Sequence, residues 1–336
     1  MTDFTRLAKV DLHVHLDGSL RPGTIADLIR AAGKPVPDDV EHRCRVSPQC
    51  RSLHEFLDTF VFFYPYIGNA AALHRAAREL CADQAADHVA YFETRFAPTL
   101  WTASGFPAEE AVEAALAGLA EGAAETGVKW GLILCGVRTS PPATTIATVK
   151  LAHRYFPEGV VGVDLAGDER HPAAAHAAGL ALARKLDIPI TLHAGEAGPA
   201  ANVREALDLG AVRIGHGIHA ADDPSVVERA RVTGTTFEMC LTSNLQTASV
   251  RSIGEHPFAA FLRSNVRVTL NTDDPGVQGS TLSQDYALAE SAFGITREEF
   301  LQSLAYSVDA AFADDSVKKD LKHLIENSWN PPEPRR

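Results

Sequence analysis

Apolar and polar positions along this chain fall into short runs that change period again and again. Val10, Leu12 and Val14 alternate with Asp11, His13 and His15, the period-two signature of a strand whose two histidines leave the backbone on one face. Pro22–Ala32 switches to helical spacing with Ile25, Leu28 and Ile29, and Gly33-Lys34-Pro35 stops it. Ser52–Phe63 carries Leu53, Phe56, Leu57 and Phe60, an i, i+3, i+4, i+7 stripe that reads first as a core-facing surface and second as a greasy lid. A helix over Ala70–Ala86 leads to the aromatic and β-branched run Val89–Phe96, a strand.

The rhythm then repeats. Strands are expected at 128–137, 160–165, 188–193, 212–216, 235–240 and 267–271, with helices at 109–125, 144–154, 173–186, 202–208, 225–232 and 258–264. Eight strands each followed by a helix predict an α/β fold, a (β/α)8 TIM barrel, and residues 283–328 add helices outside it. Runs such as Gly159-Val160-Val161-Gly162-Val163 suit strands buried on both faces. No Gly- or Ser-rich linker divides the chain, so residues 1–330 are expected to form one domain, with 331–336 a tail.

Composition narrows the function. With 46% hydrophobic and 22% charged residues in 336, a large core is possible. A net charge of -12 argues against a nucleic-acid surface and for a neutral or cationic small-molecule partner. Arg43, Arg45 and Arg51 are the local exception and read as a solvated loop. The first residues lack a secretory pattern and no run reaches the roughly 18 apolar residues of a membrane span, so a cytoplasmic protein is expected. Five cysteines without Cys-x-x-Cys spacing read as reduced thiols, Cys135 and Cys240 as buried small hydrophobes. Oligomeric state is not legible.

In a barrel of this kind functional side chains follow the C-terminal ends of strands. Polar clusters fall there in series: His13, His15 and Asp17; Asp164–Glu169; His193–Glu196; Gly215-His216-Gly217; and Asn271–Pro275. Three imidazoles and one carboxylate are what a catalytic zinc accepts, which selects His13, His15, His193 and Asp273 as ligands of one Zn2+. Such an ion lowers the pKa of its water from about 15.7 to about 7. Glu196, three residues past His193, suits a general acid; His216 suits orienting or deprotonating the water; Asp274 suits a hydrogen bond to substrate. The fourth strand offers no bridging lysine, which favours one metal over two.

Together, His13-Val14-His15-Leu16-Asp17-Gly18, Val163–Glu169, His193-Ala194-Gly195-Glu196, Gly215-His216-Gly217, Thr242-Ser243-Asn244 and Asn271–Pro275 closely resemble the motifs of the adenosine deaminase family, in the family's order. The resemblance implies a zinc-dependent barrel that replaces the 6-amino group of a purine nucleoside by oxygen and releases ammonia. It implies that Glu196 protonates purine N1, that His216 and Asp273 handle the attacking water, that the Gly167 N–H meets N3 and Asp274 meets N7, and that Asp17 holds the ribose 5′-hydroxyl. The Leu53, Phe56, Leu57, Phe60 stripe is similar to the family's lid helix.

Adenine deaminases of this kind tend to carry Glu, and the nucleotide branch Asn, where this chain has Asp17, which points to a free nucleoside such as adenosine or 2′-deoxyadenosine. Val137 and Arg138-Thr139-Ser140 depart from the family pattern, so adenine or a modified nucleoside (aminodeoxyfutalosine, an antibiotic precursor) stays open, as does a barrel that binds without turnover. The His-x-Glu and Pro-Cys-x-x-Cys signature of cytidine-type zinc deaminases is missing.

Overall fold

All eight expected strands form in the computed structural model, which describes residues 2–330; the expected tail at 331–336 lies outside the described residues. They are β1 (Lys9–His15), β2 (Val89–Phe96), β3 (Lys129–Val137), β4 (Val160–Ala166), β5 (Thr191–Ala194), β6 (Arg213–His216), β7 (Thr236–Met239) and β8 (Arg267–Leu270). Every pairing is parallel, in two four-stranded sheets ordered β1-β2-β3-β4 and β5-β6-β7-β8. Single parallel bridges, Val14 with Asp273 and Val163 with Ile190, join the sheets at both seams, giving the eight-stranded α/β barrel architecture. Parallel strands require crossovers, and the intervening helices provide them on the outside. Val10, Leu12 and Val14 are fully buried between β1 and that helical layer.

Two local expectations are corrected. The single helix expected at 173–186 is a 3-10 turn, Ala173–His176, followed by a helix Ala177–Lys185. The break falls at buried His176, whose ring bonds the Thr145 hydroxyl at 2.7 Å and the Arg138 carbonyl at 3.1 Å. Arg45 is no part of a solvated loop: its guanidinium is half-buried on the carbonyls of Pro275 and Gly276, just past β8. The region 283–328 resolves into helices Leu282–Phe293, Arg297–Ala310 and Asp315–Trp329, the first two opened by capping boxes at Thr281 and Thr296.

The barrel interior is charged as well as apolar. Arg95 places Nη1 3.0 Å from Asp164 and Nη2 3.0 Å from Glu238, while Arg213 reaches Glu93 and Glu238 at 2.6 Å each. All are buried. Such pairs are weak stabilisers, because desolvation offsets their attraction, but they fix side chains in one geometry. No helix among the described residues is long and apolar enough to cross a membrane.

Candidate active site

The strand ends bring four donors to one point: a ring nitrogen each from His13, His15 and His193 and a carboxylate oxygen from Asp273 all lie within 4.8 Å of one another. His15 and His193 come from opposite sheets, yet their Nε2 atoms are 3.3 Å apart. Asp273 Oδ1 is 3.3 Å from Nε2 of both His13 and His15. Asp11, on the same strand, is not among the donors. Pairing of β1 is irregular between Asp11 and Val14, and Asp11 instead accepts from the Thr272 hydroxyl at 2.6 Å and the Gln84 amide at 3.3 Å.

The rings are aimed from behind. Glu238 Oε2, on β7, lies 2.7 Å from His13 Nδ1, and Asp164 Oδ2, on β4, lies 2.8 Å from His193 Nδ1. A carboxylate on Nδ1 leaves Nε2 as the inward lone pair, the arrangement that orients metal-ligating histidines. His13 Nε2 is buried with no hydrogen-bond partner, an orphan that an ion would satisfy. Tetrahedral zinc–ligand bonds of about 2.0–2.1 Å put neighbouring ligand atoms about 3.3 Å apart, so these three separations of 3.3 Å fit a zinc ion. Gly215 leaves the room: a Cβ there would stand 2.9 Å from His13 Cε1.

Two residues of the site hold left-handed backbone that non-glycine residues seldom adopt, His216 at φ 60° and Asp273 at φ 77°. The Asp273 turn is clamped onto β1, its N–H donating to the His13 carbonyl at 2.8 Å and its carbonyl accepting from the His15 N–H at 2.7 Å. Burial opposes charge on Asp273, but the adjoining His13 ring and the fields of His216 and His15 hold its carboxyl well below the usual range. Ser243 donates to its Oδ2 at 2.6 Å.

Glu196 and His216 face each other, with Oε2 3.6 Å from Nε2, and His216 Nε2 is 4.0 Å from Asp273 Oδ2. Burial, then the nearby charges of Asp273 and Glu169, push the Glu196 carboxyl well above its ordinary value, the direction that favours its protonated form. Glu169 sets the loop carrying it, accepting the N–H groups of Gly195 and Glu196 at 2.7 Å and of Ala197 at 3.1 Å. A general acid beside a metal cradle is thus assembled by backbone bonds as well as by packing.

His15, His193, Glu196, His216 and Asp273 line a cavity of about 390 Å³ together with Asp17, Gly167, Asp274, Leu53, Phe56, Leu57 and Phe60, so every substrate-contact residue expected from the sequence lies on it. The helix Leu53–Val61 buries Phe56 and Phe60 and leaves Leu57 partly exposed at the mouth. Gly18 admits Asp274: a Cβ on Gly18 would sit 2.5 Å from Asp274 Cγ. Val137 and Thr139, where the chain departs from the family pattern, also line the cavity, whereas Arg138 turns behind to the carbonyls of His171 and His193.

Sequence reading missed Tyr64, whose hydroxyl donates to Asp17 Oδ2 at 2.7 Å, and gave no role to Glu238, Asn244 or His256. A signal existed for Glu238. A lone carboxylate inside the apolar run of β7 must face the barrel interior and find a partner there. Cys135 is more than a small hydrophobe: it lines the cavity, with Sγ 3.6 Å from Asp164. All five cysteines are buried and free of disulfides.

An eight-stranded parallel barrel with converging imidazoles, a carboxylate and a buried glutamate at its C-terminal end defines a hydrolase barrel of the amidohydrolase class. The comparisons narrow this. A family model described as adenosine deaminase matches residues 8–328. An adenosine deaminase of Enterococcus faecalis is 38% identical over 96% of this chain and 97% of its own length. Among solved structures, the N6-methyl-AMP deaminase of Arabidopsis thaliana superposes with a TM-score of 0.88 at 31% identity, covering 98% of this chain and 99% of that one. An amidohydrolase from Burkholderia ambifaria with bound Zn gives 0.90 at 26%, covering 98% and 94%. The chain belongs to the adenosine deaminase family, and it is an enzyme of the deaminase type.

Proposed function

We propose that this enzyme hydrolyses the 6-amino group of a free purine nucleoside, adenosine and 2′-deoxyadenosine first, to the 6-oxo product and ammonia. The observation that carries the reading is the convergence of the four donors His13, His15, His193 and Asp273 beside the cavity that Glu196 lines. Those four would hold one Zn2+, which when bound supplies an acidified water at neutral pH.

The remaining chemistry belongs to the chain. Glu196 donates its proton to purine N1, which draws electrons from C6 and opens it to attack. His216 and Asp273 flank the attacking water. A C–O bond forms at C6 and the C–N bond breaks; of the two water protons one returns to Glu196 and the other leaves on ammonia. Gly167 offers its N–H to N3, Asp274 pairs with N7, and Leu53, Phe56, Leu57 and Phe60 close over the base and exclude water. Asp17 keeps Oδ1 buried and without a partner once Tyr64 has taken Oδ2, leaving one acceptor for a ribose hydroxyl.

The cavity lining disfavours a phosphate. Among its described lining residues Arg170 is the sole Lys or Arg, and it is paired with Asp168 at 2.5 Å. A nucleotide would meet Asp17 with no free cation to neutralise it. The test compares kcat/KM for adenosine, 2′-deoxyadenosine, adenine, AMP and N6-methyl-AMP on zinc-loaded protein. Preference for the two nucleosides by at least 100-fold is expected, and equal or better turnover of the nucleotides overturns the substrate reading.

A further inference from the structure

His216 has two possible uses beside the attacking water: its Nε2 either takes a proton as a base or donates one as a hydrogen-bond director. The proton position on a neutral imidazole is set by what its other nitrogen meets. Behind His216 that partner is Asn244, whose side-chain nitrogen is 3.1 Å from His216 Nδ1. An amide can turn either face to a ring, so Asn244 alone decides nothing. Its other end does.

Asn244 Oδ1 lies 3.1 Å from Nε2 of His256. His256 Nδ1 in turn receives the backbone N–H of Phe258 at 3.2 Å. A backbone N–H cannot reverse its polarity, and this one opens the helix Phe258–Arg263. His256 Nδ1 is therefore an acceptor. Burial pushes the His256 imidazole down to about 3, so the ring is neutral and its one proton sits on Nε2, donated to Asn244 Oδ1. That fixes the amide with its nitrogen toward His216, and an N–H donor against Nδ1 forces the proton of His216 onto Nε2. All three side chains are buried.

We propose that His256 and Asn244 are positioning residues that transmit the polarity of the Phe258 N–H to His216, holding it as a hydrogen-bond donor toward the attacking water and not as its base. The chain of bonds runs Phe258 N–H to His256, His256 Nε2–H to Asn244, Asn244 Nδ2–H to His216, and His216 Nε2–H into the cavity. This deepens the proposed deamination and rests on it for the identity of the water's target. The proton bookkeeping above is unchanged, since neither water proton was assigned to His216.

The experiment uses the full zinc-loaded protein labelled with ¹⁵N-histidine. Ring-nitrogen resonances separate protonated from bare nitrogens, and His216→Asn and His256→Gln assign the two residues by difference. The wild type is expected to show the proton on Nε2 of both. Asn244→Asp, isosteric but an acceptor at both oxygens, should draw the His216 proton to Nδ1 and lower kcat/KM by at least about 100-fold with zinc retained, the effect a wrong tautomer has on catalytic imidazoles. His256→Gln, which keeps one acceptor and one donor, should recover the activity that His256→Leu loses. A wild-type spectrum with the His216 proton on Nδ1 overturns the proposal, as does an Asn244→Asp enzyme with unchanged proton site and rate. Should Asn244→Asp fail to fold or lose zinc, the wild-type spectrum still decides. Absence of turnover on every purine with both protons on Nε2 would instead remove the deaminase reading and leave the relay standing.

Discussion

Gly18→Ala tests the placement of Asp274 without touching a metal donor or the general acid. Gly18 follows Asp17 in the turn after β1, and its backbone angle is one that alanine can adopt, so the change introduces a methyl group and little else. That methyl would lie 2.5 Å from Asp274 Cγ and 2.7 Å from Asp274 Cβ, and closer still to Oδ1, whereas real Cβ atoms essentially never approach within 3.0 Å. Asp274 must therefore move by about 1 Å, a displacement that typically lowers turnover on the order of 100-fold when the displaced group positions substrate. Burial and the neighbouring carboxylates raise the Asp274 carboxyl well above its ordinary value, the direction that favours the proton it needs to donate to N7. The loss of one hydrogen bond between neutral groups, about 0.5–1.5 kcal/mol, accounts for up to about tenfold of that fall. The assay is the fall in absorbance as adenosine becomes inosine, with metal content measured alongside. We expect kcat/KM to fall 10- to 100-fold while one zinc per chain remains, because the bonds that tie Asp273 to β1 are made by its backbone. Activity within twofold of wild type, with Asp274 demonstrably shifted, refutes its role in binding the base.

Glu196→Gln keeps shape and burial but removes the proton donor, so turnover should drop by roughly 10²–10⁴ with zinc unchanged, and near-native turnover would contradict the assignment. Tyr64→Phe leaves Asp17 Oδ2 buried without its 2.7 Å donor, and kcat/KM for adenosine should fall about tenfold or more with zinc content unaltered; loss of zinc would place Asp17 with the metal instead. Phe56→Ala in the lid helix should lower stability by about 3–5 kcal/mol in chemical denaturation, a loss below 1 kcal/mol meaning that the helix is not packed as described. Asp285, buried beneath Thr242, has its carboxyl raised to about 7, mainly by burial. The folded state then holds a proton that the unfolded chain gives up near pH 4, so stability falls as pH rises toward 7, by at most about 1.4 kcal/mol per pH unit. Asp285→Asn should therefore gain on the wild type between pH 5 and 7, and a constant difference across that window would show that the group does not titrate there.

Much of the site was legible because the barrel converts sequence order into geometry. Strand ends all open on one face, so His13, His15, His193, His216 and Asp273 could be grouped without knowing any pairing. What escaped was everything that acts from behind. Glu238 reaches His13 across 225 residues of sequence and Asp164 reaches His193 across 29, contacts set by strand register and not by local pattern. The relay from His256 to His216 depends on how a loop after β7 folds back, and no periodicity encodes that. Tyr64 was hidden for a different reason: it lies past the end of the lid stripe, in a short helix Tyr64–Ile67, where an aromatic residue reads as core.

The central claim is that the four-donor cluster carries a metal-dependent deamination of a purine nucleoside. Ammonia release from adenosine, measured on the protein as purified, after chelation and after return of one equivalent of Zn2+, addresses it directly. Release is expected to disappear on chelation and to return with zinc, in step with formation of inosine. Ammonia release that survives complete removal of the metal, or its absence on adenosine and 2′-deoxyadenosine with zinc bound, would contradict it.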